Sequence, residues 1–376
     1  MTILRILIRA LAVFGFLSPT ATWAQSYSPA KTPMESTGFK HLSNKGKLKT
    51  ASDLSGIACL TPDTAGKRVC LVISDEETFA QLATLDGDKL IGGDVIPLID
   101  NDRQNTIGGK RPKKLNCSGG TDEPDFKDLD GEGVAYVKPY FYIVGSHGCS
   151  RKKNKIRYSS MILVRVHVDD KGKPIGNNSS AVEATYRLND ILRSNPTVGS
   201  YYGQDLEQKK DSRGLNVEGI AAINNKLYIG LRAPSVNNMA YIIETEIDYV
   251  FGDDKDPSKA HQKTLALKLG DNVGIRDLAP MDGERLLVLT GRSAASAKGV
   301  ASSLYSINLN SCKEQDVPNS RICDTNKLFD IEENPQIKEE DRPKAEAAWP
   351  LGGVNDKILV LFDGPENGGA RIYERK

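Results

Sequence analysis

Five times along the chain, a short small-and-acidic segment is followed by a turn and then by an unbroken apolar strand. The paired segments are 54–59 with 68–76, 130–136 with 140–147, 217–222 with 226–232, 276–280 with 285–292, and 344–349 with 357–363. A continuous apolar run, unlike strict alternation, marks a strand covered on both faces. With Ser55, Glu132, Glu218, Asp277 and Glu346 taken as equivalent, the units are 77, 86, 59 and 69 residues apart. Periods of this size suit propeller blades of four strands, lengthened by loop insertions. The outer strands are expected at 79–85 with 94–99, 161–168 with 182–188, 241–247 with 264–269, and 304–309 with 327–331. The fifth unit ends one strand short, after 370–374, and the stretch 41–49 is expected to supply that strand. Closure of the ring in this way removes exposed sheet edges. The pattern predicts an all-β chain forming a five-bladed β-propeller, with six blades as the alternative and a β-sandwich as the competing architecture.

Segments 101–127, 148–158, 170–180, 193–214, 252–262 and 333–343 are polar and rich in Gly, Pro, Asn, Lys or Asp, and they read as loops. The basic run Arg151-Lys-Lys-Asn-Lys155 falls in one of them and reads as a solvated loop.

Residues 1–24 combine Arg5 and Arg9, an apolar stretch from Ala10 to Leu17, and small residues Thr22 and Ala24 before Gln25. That is the pattern of a cleaved secretory signal. It predicts a periplasmic or secreted protein with a single domain over 25–376. Six cysteines lie beyond it, and an even number in an oxidising compartment reads as a disulfide framework. Cys59 with Cys70 and Cys312 with Cys323 share an interval of 11, the first pair flanking a turn-rich segment, which leaves Cys117 for Cys149 by default. No later stretch reaches the roughly 18 apolar residues of a membrane span.

Of 376 residues, 39% are hydrophobic and 26% charged, with 50 Lys and Arg against 49 Asp and Glu. This balance argues against nucleic acid or an anionic membrane as the main partner. The expected partner is an anionic small molecule or another protein, with the chain acting as a monomer. No Gly-x-Ser-x-Gly elbow, P-loop or His-Glu-x-x-His motif is present.

In a propeller, equivalent positions of successive blades form a ring at the central channel. Glu132, Glu218, Asp277 and Glu346 are therefore expected near one another, with Ser55 as the odd member. A second set marks the strand ends: Asp75, His147, Arg232, Arg292 and Asp363. Clustered carboxylates must pair with bases, take up protons or bind a cation. Calcium suits such oxygen donors, and Asp128-Leu-Asp130-Gly-Glu132 has part of a calcium-loop pattern. Arg232 and Arg292 are candidates to grip a phosphate or carboxylate. In the competing reading the ring acids only hold the blades in register.

The repeated Glu-Gly-Ile/Val-Ala elements, Ile73-Ser-Asp-Glu76 and Gly230-Leu-Arg232 resemble a bacterial family of secreted propellers of unknown function, over roughly residues 50–374. That family is similar to the esterase-like phytases. The resemblance implies phosphate-ester hydrolysis with calcium held by channel carboxylates and phosphate bound by Lys and Arg. By position, Asp75, Glu76, Glu132 and Glu218 match its acidic motifs, while Asp277-Leu-Ala and Ser55 depart from them. The functional expectation is an anion-binding propeller, with calcium-assisted phosphoester hydrolysis as its enzymatic version. The alternative is a non-catalytic scaffold or protein-interaction propeller.

Overall fold

The structure, a computed structural model, describes residues 27–43, 46–100, 106–113, 115–121, 125–151, 153–176, 178–207, 214–252, 261–332, 336–352 and 356–376. The expected signal segment lies outside them.

Five antiparallel sheets follow one another as blades, each beginning at its innermost strand. Those innermost strands are Leu54–Cys59, Gly131–Val137, Asn216–Ile223, Val273–Pro280 and Lys344–Gly352. Each packs on the next, and the fifth packs back on the first, so the chain is a five-bladed β-propeller. The second strands, Arg68–Ser74, Tyr140–Gly145, Lys226–Ala233, Arg285–Arg292 and Lys357–Asp363, are buried along nearly their whole length. This matches their unbroken apolar pattern, because blades cover them on both faces. Phe141, Ile143, Ile229, Val288 and Leu359 belong to the packed cores between blades.

An N-terminal strand closes the ring, but at Tyr27–Pro29 and not at 41–49. It pairs antiparallel with Arg371–Arg375, and the Tyr27 ring stacks on Phe329 at 4.8 Å. The strands Lys40–Leu42 and Leu48–Thr50 instead pair antiparallel with each other as a separate sheet. Its side chains are mostly polar, and its apolar pair, Leu42 opposite Leu48, stays exposed and packs on no blade.

Two blades extend beyond four strands. Glu35–Thr37 runs parallel to the edge of the first blade, and Ser320–Cys323 runs parallel to Lys263–Lys268 at the edge of the third. Both cover backbone groups that an open edge would expose. The expected strand over 182–188 stops at Thr185, and the helix Leu188–Ser194 follows, burying Leu188, Ile191 and Leu192. Their i, i+3, i+4 spacing is the helical signal in that stretch.

All three disulfides are present: Cys59–Cys70, Cys117–Cys149 and Cys312–Cys323. Cys59 and Cys70 are register partners across the first two strands of their blade. Such bonds fit an extracytoplasmic location. Among the described residues, no helix is long and apolar enough to cross a membrane.

Candidate functional site

Each innermost strand contains one residue too many for its partner. Leu54 and Gly56 face Ser74 and Ile73, so Ser55 is skipped. The same slip skips Glu132, Glu218, Arg276 and Glu346 in the other four blades. A bulge leaves its extra residue unpaired and re-aims the side chain. Repeated fivefold around the channel, it turns five side chains into one cavity of about 960 Å³. The ring is thus Ser55, Glu132, Glu218, Arg276 and Glu346. Arg276 takes the place that the sequence reading gave to Asp277.

Arg276 is the hub of this ring. It is 8% exposed, and its Nη1 lies 2.7 Å from Glu218 Oε2 while Nη2 contacts Glu346 Oε1. Burial works against its charge, yet Glu218, Glu346 and Glu132 together raise its pKa further. The other Glu218 oxygen accepts from Arg232 Nη1 at 2.7 Å, and Arg232 Nε donates to the Arg292 carbonyl. A buried chain Glu346–Arg276–Glu218–Arg232 follows, in which two acids and two bases balance.

Glu132 stands outside that balance. Among the described residues it has no ion-pair or hydrogen-bond partner. Burial, then the charges of Glu218, Asp130, Asp75 and Glu346, pushes its carboxyl well above the usual range. Asp75 is raised well above it too, by burial and then by Asp130, Asp53, Glu76 and Asp363. Asp130 accepts from the Ser146 hydroxyl, and its pKa is raised by burial against that bond. These environments favour carboxyl groups that keep their protons and can donate them.

The other candidates divide. Asp75, Glu76 and Asp363 line the cavity, and Asp363 pairs with Lys344 at 3.0 Å. Arg292 lines a neighbouring cavity and meets Glu339 at 3.2 Å. Asp277 sits at the next position of its strand, where three other blades have Gly56, Gly133 and Gly219. Its carboxylate accepts from the backbone of Leu278 and, across the blade interface, of Ala348, both at 2.8 Å. It therefore ties the fourth blade to the fifth.

His147 does not face the cavity. It is fully buried at positive φ with Nδ1 against the Gly145 carbonyl, and Ser146 lines the cavity in its stead. Burial holds its pKa at about 4. The unfolded chain, with a His pKa near 6.5, therefore takes up this proton first as pH falls. Stability from this group is full above about pH 6.5, and about 2 kcal/mol of it is lost by pH 5. His147→Asn, a residue that tolerates positive φ, is expected to flatten the pH dependence of urea unfolding over that interval. An unchanged slope would assign the acid sensitivity to other groups.

Three features of the site were not read from the sequence. Asp128 pairs with Arg157 at the cavity wall. Arg276 joins the ring. The basic run also lines the mouth, through Arg151, Lys153 and Lys155, together with Lys127. Its loop is fixed by the Cys117–Cys149 bond and by the Ser150 amide donating to the Lys155 carbonyl at 2.8 Å. Lys127, Arg151 and Lys153 have no ion pair among the described residues.

The ring does not fit a calcium ion. Among the described residues, no three ring carboxylates bring ligand atoms within 4.8 Å of one another, and the Arg276 guanidinium lies between two of them. The group Cys117, Cys149 and Asp205 is closed to metal because its sulfurs form a disulfide.

A family profile described as "Protein of unknown function (DUF3616)" matches residues 110–165 and 164–374. The chain belongs to this family. No curated protein matches the sequence. Among solved structures, a member of the GH130 family, described as mannoside phosphorylases containing glycoside hydrolases that target β-1,2 mannosidic linkages in Candida mannan, shares 10% identity at TM-score 0.44, covering 93% of this chain and 94% of its own. A putative glycoside hydrolase from Parabacteroides distasonis shares 9% at TM-score 0.42, covering 93% and 96%. The aldose sugar dehydrogenase of Streptomyces coelicolor shares 14% at TM-score 0.32, covering 93% and 98%.

Proposed function

We propose that the central cavity binds a small polyanion, with Lys127, Arg151 and Lys153 gripping its charged groups at the mouth and Glu132 meeting its inner end. One observation carries this reading: Lys127, Arg151 and Lys153 have no counter-ion among the described residues, while the acids beneath are neutralised by Arg276 and Arg232 or disposed to keep their protons. A negatively charged ligand supplies that counter-ion. A protonated Glu132 adds a donor where a carboxylate would repel. Phosphate esters are the ligand class to which the phytase-like resemblance points. The same carboxyl is placed to protonate a leaving oxygen in a hydrolytic version.

The test is calorimetric titration with myo-inositol hexakisphosphate, paired with phosphate release measured in calcium and in chelator. Binding is expected to weaken as salt rises, and by about tenfold or more in the double variant Arg151→Ala/Lys153→Ala. Binding of equal strength in wild type and variant, or none at all, would overturn the anion reading in favour of a scaffold. Release that requires calcium would contradict the poor fit of the ring to that ion.

A further inference from the structure

We propose that His41, Asp53 and Glu76 form a binding site for a first-row divalent metal ion of the zinc class at the edge of the central cavity. The three residues come from separate elements. His41 lies on the strand Lys40–Leu42, Asp53 immediately precedes the innermost strand Leu54–Cys59, and Glu76 follows the second strand Arg68–Ser74. One ligand atom from each lies within 4.8 Å of the others.

The second observation is how the imidazole is held. Glu77 is a buried side chain, and its Oε1 accepts from the Leu42 amide at 2.7 Å. The same oxygen lies 2.8 Å from His41 Nδ1. Nδ1 thus sits against the buried Glu77 carboxyl as a close charge contact, short of hydrogen-bond geometry, and the other ring nitrogen is Nε2. That nitrogen is the one facing Glu76, 4.0 Å from Oε2. A buried carboxylate against the far ring nitrogen is a usual support of a metal-ligating imidazole. Two ligands on one tetrahedral zinc stand about 3.3 Å apart. The exposed Glu76 side chain closes the difference by a small rotation. Asp75 adds an acceptor nearby: its Oδ1 is shut away from solvent without a hydrogen-bond partner, and its backbone amide bonds to the Asp53 carbonyl.

The donor set decides the ion. One imidazole with two carboxylates suits zinc and its first-row neighbours, whereas calcium and magnesium take oxygen donors. Three protein ligands leave a coordination position open, and His41 and Glu76 both line the cavity. The ion would also pin this strand pair across the mouth, since Leu42, Ser43 and Gly46 line the same cavity. This site stands apart from the proposed anion-binding role, and its test uses no anion.

The experiment is titration of the untagged, oxidised, metal-stripped protein with Zn²⁺ by calorimetry and with Co²⁺ by visible absorption. One equivalent is expected to bind, with a Co²⁺ spectrum of low coordination number and a rise in the thermal midpoint. His41→Ala and Glu76→Gln are each expected to weaken binding at least 100-fold and to abolish that rise. Glu76 is largely exposed and its substitution leaves the fold intact, so it serves even where His41→Ala folds poorly. No saturable binding at millimolar Zn²⁺, or wild-type affinity in Glu76→Gln, would overturn the site.

Discussion

Replacing Arg276 with Ala is expected to lower the unfolding free energy by about 3–5 kcal/mol at neutral pH. The magnitude comes less from the lost contacts than from what remains. Glu218 and Glu346, each bound by the guanidinium, would stay buried and face Glu132 without a positive charge among them. A buried ion pair is a weak source of net stability, but one half of it left alone is costly. The pH dependence separates this mechanism from simple loss of packing. Unpaired buried carboxyls have folded pKa values above the unfolded value of about 4.3. Their penalty is full at high pH, shrinks as pH falls through the raised folded values, and is gone below the unfolded value. The variant should therefore approach wild-type stability near pH 4, where most proteins lose theirs. Arg276→Lys, which keeps the charge but cannot bond both glutamates as a planar fork, is expected to fall between the two. Urea unfolding at pH 7 and pH 4 measures the difference. An equal loss at both pH values would show that the ring depends on Arg276 for shape and not for charge.

How much of this was legible in the sequence depends on the length scale of the signal. The five apolar second strands are long and unbroken, and they announced both the blades and their burial. The closing strand Tyr27–Pro29 has three residues and no alternation, so nothing in its pattern separates it from a loop. The ring was legible in kind but misread by one position. Matching acid to acid selected Asp277. The small residue followed by apolar-Ala aligns Ser55-Gly-Ile-Ala, Glu132-Gly-Val-Ala and Glu218-Gly-Ile-Ala with Arg276-Asp-Leu-Ala, and that alignment puts the base in the ring. Residue type misled where local sequence context, read through the bulge, did not. The mouth was illegible for another reason. A run of Lys and Arg has the same composition whether it faces bulk water or a cavity, and only the position of its loop distinguishes them. His147 was lost to a change of direction, because strand alternation ends where its backbone enters positive φ.

The alignment also explains the glycines, and with them a second large effect. Gly56, Gly133 and Gly219 each follow the bulged residue, at the point where neighbouring innermost strands meet backbone to backbone. A Cβ at Gly56 would lie 2.8 Å from Gly133 Cα, 2.9 Å from the Val134 nitrogen and 3.0 Å from the Gly133 carbonyl carbon. All three are main-chain atoms of a strand already fixed by pairing within its own blade, so relief requires shifting a blade and not a rotamer. Gly56→Ala is therefore expected to destabilise by about 3 kcal/mol, at the upper end of overpacking costs. The gain that Ala normally brings over Gly in an unfolded chain, about 0.4–1 kcal/mol, is overwhelmed here. The contrast lies in the same ring: at Gly133 the nearest contacts of an added Cβ are 3.1–3.3 Å and include the Ile220 side chain, which can yield. Gly133→Ala should cost less than Gly56→Ala. Equal effects would mean that the strand pair absorbs both methyls by separating, and that the ring is less rigid than its bulges imply. The distinction reaches the site directly, since Ser55 and Glu132 are the residues just before these two glycines. A blade displaced at Gly56 moves the cavity floor, so the cost to ligand binding should follow the cost to stability.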